Sequence, residues 1–267
     1  MSIGLLLFTT ALGLSAAMSL AWLLQRRTGQ SGWIDATWSF ALGAAGIYLA
    51  LAPLDGREPG ARQYFVAAFA VAASVRLGSH IVARSLNAGE DPRYLDLARE
   101  WGPDFPRRLF WFLQIQAFCA FLLSLAIFLA ARNPAPFPAA ADYVGGLLLV
   151  AAIAGEAWSD ATLSRFRAAR GAERSVCMDG PWAFSRHPNY FFQWLSWVGY
   201  AVVAMNFAGA WPQGWLALGA PAFMYWLLVH VSGAPPLEKH MIASRGAAFR
   251  ACQARVNLFF PGPQRRI

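Results

Sequence analysis

Charged residues, lysine and paired cysteines are all scarce in this chain of 267 residues. Only 13% of the residues are charged, whereas a soluble domain averages about 25%, so an ordinary soluble domain is excluded. Lys239 is the one lysine, and arginine therefore carries the formal charge of +8. The three cysteines, Cys119, Cys177 and Cys252, show no CxxC spacing and no even count. This pattern argues against a disulfide framework and against a zinc site, and we expect no bound metal.

What the chain has instead is apolar sequence, at 57% of its residues. Spanning a bilayer takes roughly 20 apolar residues. Seven segments of that length occur, at about 3–25, 33–54, 63–84, 108–131, 141–163, 190–209 and 211–231. The pattern predicts an all-α integral membrane protein, with one transmembrane domain over 1–267 and an amphipathic cytosolic tail at 232–267. The first segment has neither a basic n-region nor a cleavage site, so we interpret it as a retained helix rather than a signal peptide.

The positions of the cations predict an orientation. Seven spans place the loops at 26–32, 85–107 and 164–189 and the tail on one side of the membrane. The other side receives only Arg57, Arg62 and Arg132, Arg76 lies within a span, and the rest of the 22 Lys and Arg fall on the first side. Basic loops stay cytoplasmic, so we expect the N-terminus outside and the C-terminus in the cytosol. Nucleic acid is a poor explanation for this charge, because the basic residues lie between apolar segments.

Several ionisable residues lie inside the predicted spans. Asp35 and Trp38 are three apart and share a helix face. Asp35 either stabilises its helix N-terminus, as carboxylates do in a first turn, or faces a substrate. Arg76 and His80 are four apart on one face of the third span. Arg76 lies some two turns inside the apolar run and needs a carboxylate or a wet cavity, and Asp35 is one possible partner.

Glu156 and Asp160 are four apart on one face of the fifth span, near its cytosolic end. Two carboxylates this close repel unless a cation or hydrogen-bond donors lie between them. The arginines that follow supply such charge; they are Arg165, Arg167, Arg170 and Arg174. The pair is therefore either a simple ion-pair network or part of a binding site.

The segment Gly180–Tyr190 places arginine, histidine and asparagine at the mouth of the sixth span. Ionisable groups near hydrocarbon tend to face a cavity or a partner. The alternative is an interfacial anchor, in which Arg186 and His187 reach lipid phosphates while Tyr190 and Trp194 join the aromatic belt. The predicted orientation puts this segment on the same side of the membrane as the carboxylates of the fifth span. A lipid anchor needs cations and aromatic residues but does not need a pair of carboxylates. We therefore interpret it as the floor of a pocket.

Two further segments have helical patterns outside the spans. A short amphipathic helix is predicted from Tyr94 onward, after the turn residues Gly89 and Pro92. The tail predicts a basic amphipathic helix from Arg245 to Arg255, which either lies on anionic lipid or folds back to close a pocket. No GxGxxG, Walker A, HExxH or GxSxG motif occurs in a usable context.

Ser185-Arg186-His187-Pro188-Asn189-Tyr190 resembles the motif shared by membrane steroid reductases and sterol double-bond reductases. Isoprenylcysteine and phospholipid methyltransferases of the same superfamily carry an Arg-His-Pro-x-Tyr version. Ser159-Asp160 resembles the Ser-Asp pair of the steroid 5α-reductases, and residues 89–94 and 232–238 resemble a bacterial steroid-reductase-like branch. The resemblance covers most of the chain from about residue 31. It implies an NADPH-dependent oxidoreductase of a bacterial inner membrane, acting as a monomer, that reduces the Δ4 double bond of a 3-oxo steroid or similar lipophilic enone.

The resemblance also implies roles for individual residues. Asn189 would bind the nicotinamide carboxamide, and Glu156 and Asp160 would meet ribose or adenine hydroxyls. The phosphates would be held by Arg167, Arg174 and Arg186. The full expected NADPH-binding set is Arg93, Tyr94, Glu156, Asp160, Arg167, Arg174, Arg186, His187, Asn189, Tyr190, Gln193, Glu238 and His240. Substrate would meet Asp35, Trp38 and Arg76. The expected catalytic residues are Asp35, Arg76, His80 and Asn189.

The chain departs from the steroid 5α-reductase pattern at several positions. Gln193 stands where those enzymes have a Glu, and Asp35 is only a positional substitute for their substrate-side Gln-Glu pair. Their substrate-side Tyr has no clear match. The competing hypothesis is a methyltransferase using S-adenosylmethionine, which would share the Arg-His-Pro motif and Glu238, although Lys239 follows where paired glutamates are usual. The third hypothesis is a non-enzymatic lipid-binding or transport protein.

Overall fold

A computed structural model describes residues 1–54, 56–87, 91–170 and 175–265, and these are almost entirely helical. The α-helices are α1 Ile3–Thr28, α2 Gly32–Leu51, α3 Ala61–Asn87, α4 Pro92–Trp101, α5 Phe105–Ala131, α6 Ala140–Arg170, α7 Pro188–Ala204, α8 Gly219–Trp226, α9 Ala234–Arg245 and α10 Ala247–Arg255. The described residues contain no β-strand, only two isolated bridges, one of which joins Ser185 to Asn257. The predicted short helix after residue 94 is α4, which begins with Asp91 accepting a hydrogen bond from the Arg93 N–H at 3.0 Å.

Six helical runs within the described residues are long and apolar enough to cross a membrane. They are Ile3–Thr28, Gly32–Leu51, Ala61–Leu86, Arg93–Ala131, Ala140–Ala169 and Pro212–Arg245. The chain therefore has the helices of a multi-pass membrane protein. The predicted segment 190–209 corresponds to α7, which has 17 residues and is about 26 Å long at 1.5 Å per residue; it is not among the six. Seven spans, and the orientation derived from them, stay predictions.

The C-terminal part differs in detail from the predicted helices. The segment predicted at 211–231 consists of a 3₁₀ stretch Pro212–Leu218, then α8, then a π-helical stretch Leu227–Val231. The tail is helical from Ala234, well before the predicted start at Arg245, because Pro235 and Pro236 fit the first turn of a helix. Gly246, with φ of 53°, ends α9 and separates it from α10. Arg245 thus belongs to the first of two tail helices.

The chain divides into two compact units, and the single domain predicted over 1–267 stays a prediction. The first unit comprises Met1–Gly145 and Tyr200–Ala220, and the second comprises Gly146–Gly199 and Pro221–Ile267. In the first unit α2 packs on α1, α3 and α5. Small residues bring α2 and α3 together: a Cβ on Gly43 would lie 2.2 Å from the Ser74 side chain, and the Ser85 hydroxyl donates to the Gly32 carbonyl at 3.1 Å. Membrane helices commonly associate through such close small-residue contacts.

A buried ion pair joins the ends of several helices in the first unit. Arg62 donates to both oxygens of Asp142, at 2.9 Å from Nε and 2.7 Å from Nη2. Its remaining donors reach the carbonyls of Asn133, Ala135 and Pro136. The side chains of Arg62 and Asp142 are only 6% and 2% exposed. We define these two residues, with Asn133, as the Arg62 network. From the sequence, Arg62 was expected only as a loop charge.

In the second unit the end of the tail packs on α7 through aromatic rings. Phe259 lies 5.9 Å from Trp194 and 5.2 Å from Tyr225, measured between ring centroids. On its other side α7 approaches α6 closely, because a Cβ on Gly155 would lie 2.3 Å from the Phe192 ring. The tail, α7 and α6 are therefore packed around the Ser185–Tyr190 segment.

Candidate functional site

The Ser185–Tyr190 segment is held by the C-terminal tail. Ser185 is fully buried, and its hydroxyl donates to the Phe259 carbonyl at 2.8 Å. The Ser185 Oγ also accepts a hydrogen bond from the His187 N–H at 3.1 Å. The Arg186 N–H donates to the Asn257 carbonyl at 2.8 Å. Because a buried backbone N–H needs an acceptor, these contacts fix the backbone of the segment before α7 begins.

Glu238, in tail helix α9, is the centre of a buried polar cluster. Its carboxylate accepts from Arg186 Nε at 2.7 Å and Nη2 at 3.3 Å, and its Oε1 lies 3.0 Å from His187 Nε2. Gln253 Nε2 donates to the second oxygen at 2.7 Å. The side chains of Arg186, His187 and Glu238 are 12%, 4% and 13% exposed. A lipid anchor would present Arg186 and His187 to headgroups, and this burial does not fit one.

Arg186 uses its donors inside the protein. Beyond Glu238, its Nη1 donates to the Val256 carbonyl at 2.7 Å and to the Gln253 carbonyl at 3.3 Å. A planar guanidinium in such a set of contacts holds a fixed position. The role of phosphate ligand stays a prediction for Arg186, while the contacts observed here position the motif against the tail.

The carboxylates of α6 lie beside the start of α7. Glu156 and Asp160 are buried, and Asn189 Nδ2 donates to Asp160 Oδ1 at 3.2 Å. Ser159, between them, is also fully buried, and its carbonyl accepts the Trp182 indole N–H at 2.9 Å. The sequence placed Asp160 and Asn189 in one site, and the structure brings them into contact.

Three buried polar atoms of the second unit have no hydrogen-bond partner within the described part of the chain. They are His187 Nδ1, Thr162 Oγ1 and Ser175 Oγ. Buried polar groups nearly always have a hydrogen-bond partner, and an exception calls for a water, an ion or a ligand as explanation. A ring nitrogen, two hydroxyls and the nearby carboxylates of α6 are the kinds of group that bind the polar parts of a nucleotide.

The remaining residues expected to bind cofactor are distributed as follows. The Tyr190 ring stacks on the His187 ring, with centroids 5.3 Å apart and planes within 10°. Gln193 is half-buried in α7, whereas Arg167 and His240 are exposed. Arg174, like Gly89 and Glu90 of the loop motif, lies outside the described residues.

The first unit holds a separate polar cluster around Asp35. One Asp35 oxygen accepts from Arg93 Nη2, and the other accepts the Tyr94 hydroxyl at 3.1 Å. Arg93 also donates to Asp91, from Nε at 3.0 Å and Nη2 at 2.8 Å, and Arg84 lies 3.7 Å from Asp91. Burial raises the pKa of Asp91, but the hydrogen bonds and charge of Arg93, with that of Arg84, outweigh burial and hold it below its usual value.

This cluster changes the grouping expected from sequence. Arg93 and Tyr94 were assigned to the cofactor and Asp35 to the substrate, yet the three contact one another. The ion partner that the structure gives Asp35 is Arg93, where the sequence had suggested Arg76.

Trp38 and His80 complete the expected substrate and catalytic residues of this unit. Trp38 donates its indole N–H to the Gln116 carbonyl at 3.0 Å, which ties α2 to α5. His80 is half-buried in α3, four residues after Arg76. Their substrate-facing roles stay predictions.

A family model described as a protein of unknown function, DUF1295, matches residues 21–256. The chain belongs to the DUF1295 family. The matched region of this DUF1295 protein includes both polar clusters, from Asp35 to Glu238. No curated protein and no solved structure matches the chain.

Proposed function

We propose that this DUF1295 protein is an NADPH-dependent membrane reductase that acts on the Δ4 double bond of a 3-oxo steroid or a similar lipophilic enone. The observation that carries the proposal is the buried cluster of the second unit, in which Asn189 contacts Asp160 beside polar atoms that have no protein partner. The resemblance of Ser185–Tyr190 to the steroid-reductase motif supports the same reaction class.

The residues of the second unit fit a nicotinamide nucleotide chemically. Glu156 and Asp160 are carboxylates, which accept hydrogen bonds from ribose hydroxyls. Asn189 donates one amide hydrogen to Asp160, and its second amide hydrogen remains for a carboxamide oxygen. Arg167 carries a positive charge for phosphate oxygens. NADPH, when bound, would supply the hydride that adds to the β carbon of the enone.

Within the first unit, the Asp35 cluster contains a group of the kind that such a reduction needs at the carbonyl oxygen. Negative charge develops on that oxygen as the double bond is reduced, and a positioned donor there lowers the barrier. Both oxygens of Asp35 act as acceptors in the structure, from a guanidinium and a phenol. We therefore assign the donor role to the Tyr94 hydroxyl, whose single proton is donated to Asp35 in the free protein and would turn to the enone oxygen when substrate binds. Asp35 is assigned the positioning of that hydroxyl before substrate binds. Arg76 and His80 remain the alternative donors.

The decisive experiment measures NADPH oxidation by the purified protein with progesterone or testosterone. Turnover with formation of the 4,5-dihydro product supports the proposal, and the absence of turnover with every 3-oxo-Δ4 steroid refutes the substrate class. The methyltransferase hypothesis uses the same Arg186, His187 and Glu238. A thermal-shift comparison of NADPH with S-adenosylmethionine separates the two, and a failure of both ligands favours a non-enzymatic lipid-binding protein.

Replacing Asn189 with alanine is expected to weaken NADPH binding about tenfold, since a hydrogen bond between neutral groups contributes about 0.5–1.5 kcal/mol. The dissociation constant, measured by calorimetry in detergent, checks this. Asn257→Ala is the matched control, because the one hydrogen bond that the Asn257 side chain makes within the described residues is an exposed contact with Arg265 at 3.4 Å. Equal NADPH affinity in the wild type and Asn189→Ala would contradict the assigned role.

A further inference from the structure

The His187 ring is held in one orientation and, by its contacts, in one tautomer. Glu238 accepts two hydrogen bonds from the Arg186 guanidinium, so it is the carboxylate form that these contacts stabilise. Its Oε1 therefore accepts from His187 Nε2, 3.0 Å away, and in the neutral ring the one proton lies on Nε2. The hydrogen bond made by one ring nitrogen decides the state of the other. His187 Nδ1 consequently carries a lone pair and is an acceptor.

That acceptor has no partner among the described residues, although the side chain is only 4% exposed. The ring cannot turn over to satisfy it without breaking the Glu238 contact. Tyr190 also covers one face of the ring, with nearly parallel planes. Leaving a buried acceptor unpaired costs about 1–3 kcal/mol. The fold thus maintains a costly, oriented and unused acceptor next to Asn189.

We infer that His187 Nδ1 accepts a hydrogen bond from a hydroxyl or amino group of the bound nucleotide, and that Glu238 is the positioning residue that keeps this nitrogen an acceptor. The inference rests on the proposed nucleotide site. It specifies the ligand chemistry at this point, because a donor group is bound there and an acceptor group is rejected. Ribose hydroxyls and the adenine amino group have this chemistry in both NADPH and S-adenosyl compounds.

Two substitutions of His187 distinguish the roles of its two ring nitrogens. In His187→Gln the longer amide reaches the position of Nε2 and still donates to Glu238, but nothing accepts at the position of Nδ1. In His187→Asn the shorter amide places its oxygen near the position of Nδ1, while Glu238 loses a donor. Both variants are neutral and polar, so they form a matched pair for measurements on the full chain in detergent.

We expect opposite orders for affinity and stability in this pair. His187→Gln should bind NADPH about tenfold more weakly than the wild type, which corresponds to about 1.4 kcal/mol, and should unfold at nearly the wild-type temperature. His187→Asn should bind NADPH within about threefold of the wild type, as one retained acceptor predicts, and should unfold at a lower temperature. If His187 only stabilised the fold, the variant with the lower unfolding temperature would also be the one that binds NADPH more weakly.

Titrations with NADPH and with S-adenosylhomocysteine distinguish the possible failures. If the wild type binds NADPH and His187→Gln binds it equally well, the inference is wrong and the reductase proposal is unaffected. If the wild type binds S-adenosylhomocysteine instead, and His187→Gln weakens that binding, the inference is supported and the reductase proposal fails. If neither compound binds to the wild type, both are wrong.

Discussion

Replacing Arg62 with alanine is expected to lower the free energy of unfolding by about 3–5 kcal/mol, the usual cost of removing one partner of a buried ion pair. Asp142, whose side chain is 2% exposed, would lose both of its hydrogen bonds from the guanidinium. The carbonyls of Asn133, Ala135 and Pro136 would also lose a donor. The free energy of unfolding of a native protein is typically about 5–15 kcal/mol, so this loss is a large fraction of the total stability. Thermal or denaturant unfolding in detergent, followed by circular dichroism, measures it.

Arg57→Ala is the control for this prediction, because Arg57 is an exposed cation in the connection that precedes α3. It should change the unfolding free energy by no more than about 0.5 kcal/mol, as exposed substitutions usually do. A second variant, Arg62→Met with Asp142→Leu, removes both charges together and should lose less than the sum of the two single changes. Equal stability of Arg62→Ala and Arg57→Ala would show that the Arg62 network does not stabilise the folded state.

The Arg62 network could not be predicted from the sequence. Arg62 lies 80 residues from Asp142 and 71 from Asn133 along the chain. Helical spacing predicts contacts only between residues three or four apart on one helix, so it cannot predict a contact between residues so far apart in the chain. Asp142 carried one signal, since a carboxylate in the first turn of α6 matches the helix dipole. Nothing in the sequence paired that signal with a particular arginine.

Helix positions were predictable because burial in lipid imposes a length and a composition on each span. The predicted 108–131 and 141–163 correspond to α5 Phe105–Ala131 and α6 Ala140–Arg170. The end of the chain was less predictable. Residues 211–231 are uniformly apolar, and hydropathy does not distinguish α-helix from the 3₁₀ and π turns found there.

The candidate site was predictable where residues share one helix face and not where separate segments meet. Glu156 and Asp160 were paired by their spacing of four, and Asn189 was joined to them through the resemblance. The tail was left with two alternatives, and the contact of Glu238 with Arg186 and His187 now shows it folded back on the motif. Tyr94 was assigned to the cofactor through the resemblance. Its contact with Asp35, 59 residues away in sequence, depends on tertiary packing and could not be predicted from spacing.

Tyr94→Phe is expected to lower kcat for enone reduction by about 10²–10³, the effect of removing one donor to a developing oxyanion, about 3–4 kcal/mol. The Tyr94 hydroxyl is the neutral donor of the Asp35 cluster, and the residue is only 4% exposed. Phenylalanine keeps the ring in place. Arg93 still pairs with Asp35 in the variant, so the cluster retains its ion pair.

The split between kinetic and binding constants decides whether Tyr94 acts in this way. Because the hydroxyl is assigned to the enone oxygen and not to the nucleotide, NADPH affinity should stay within about twofold, a change smaller than the loss of one hydrogen bond. Tyr64→Phe, at a 58% exposed position of α3, controls for the substitution itself. An unchanged kcat in Tyr94→Phe would move the donor role to Arg76 or His80. A fall in NADPH affinity equal to the fall in kcat would instead return Tyr94 to the cofactor, as the sequence first predicted.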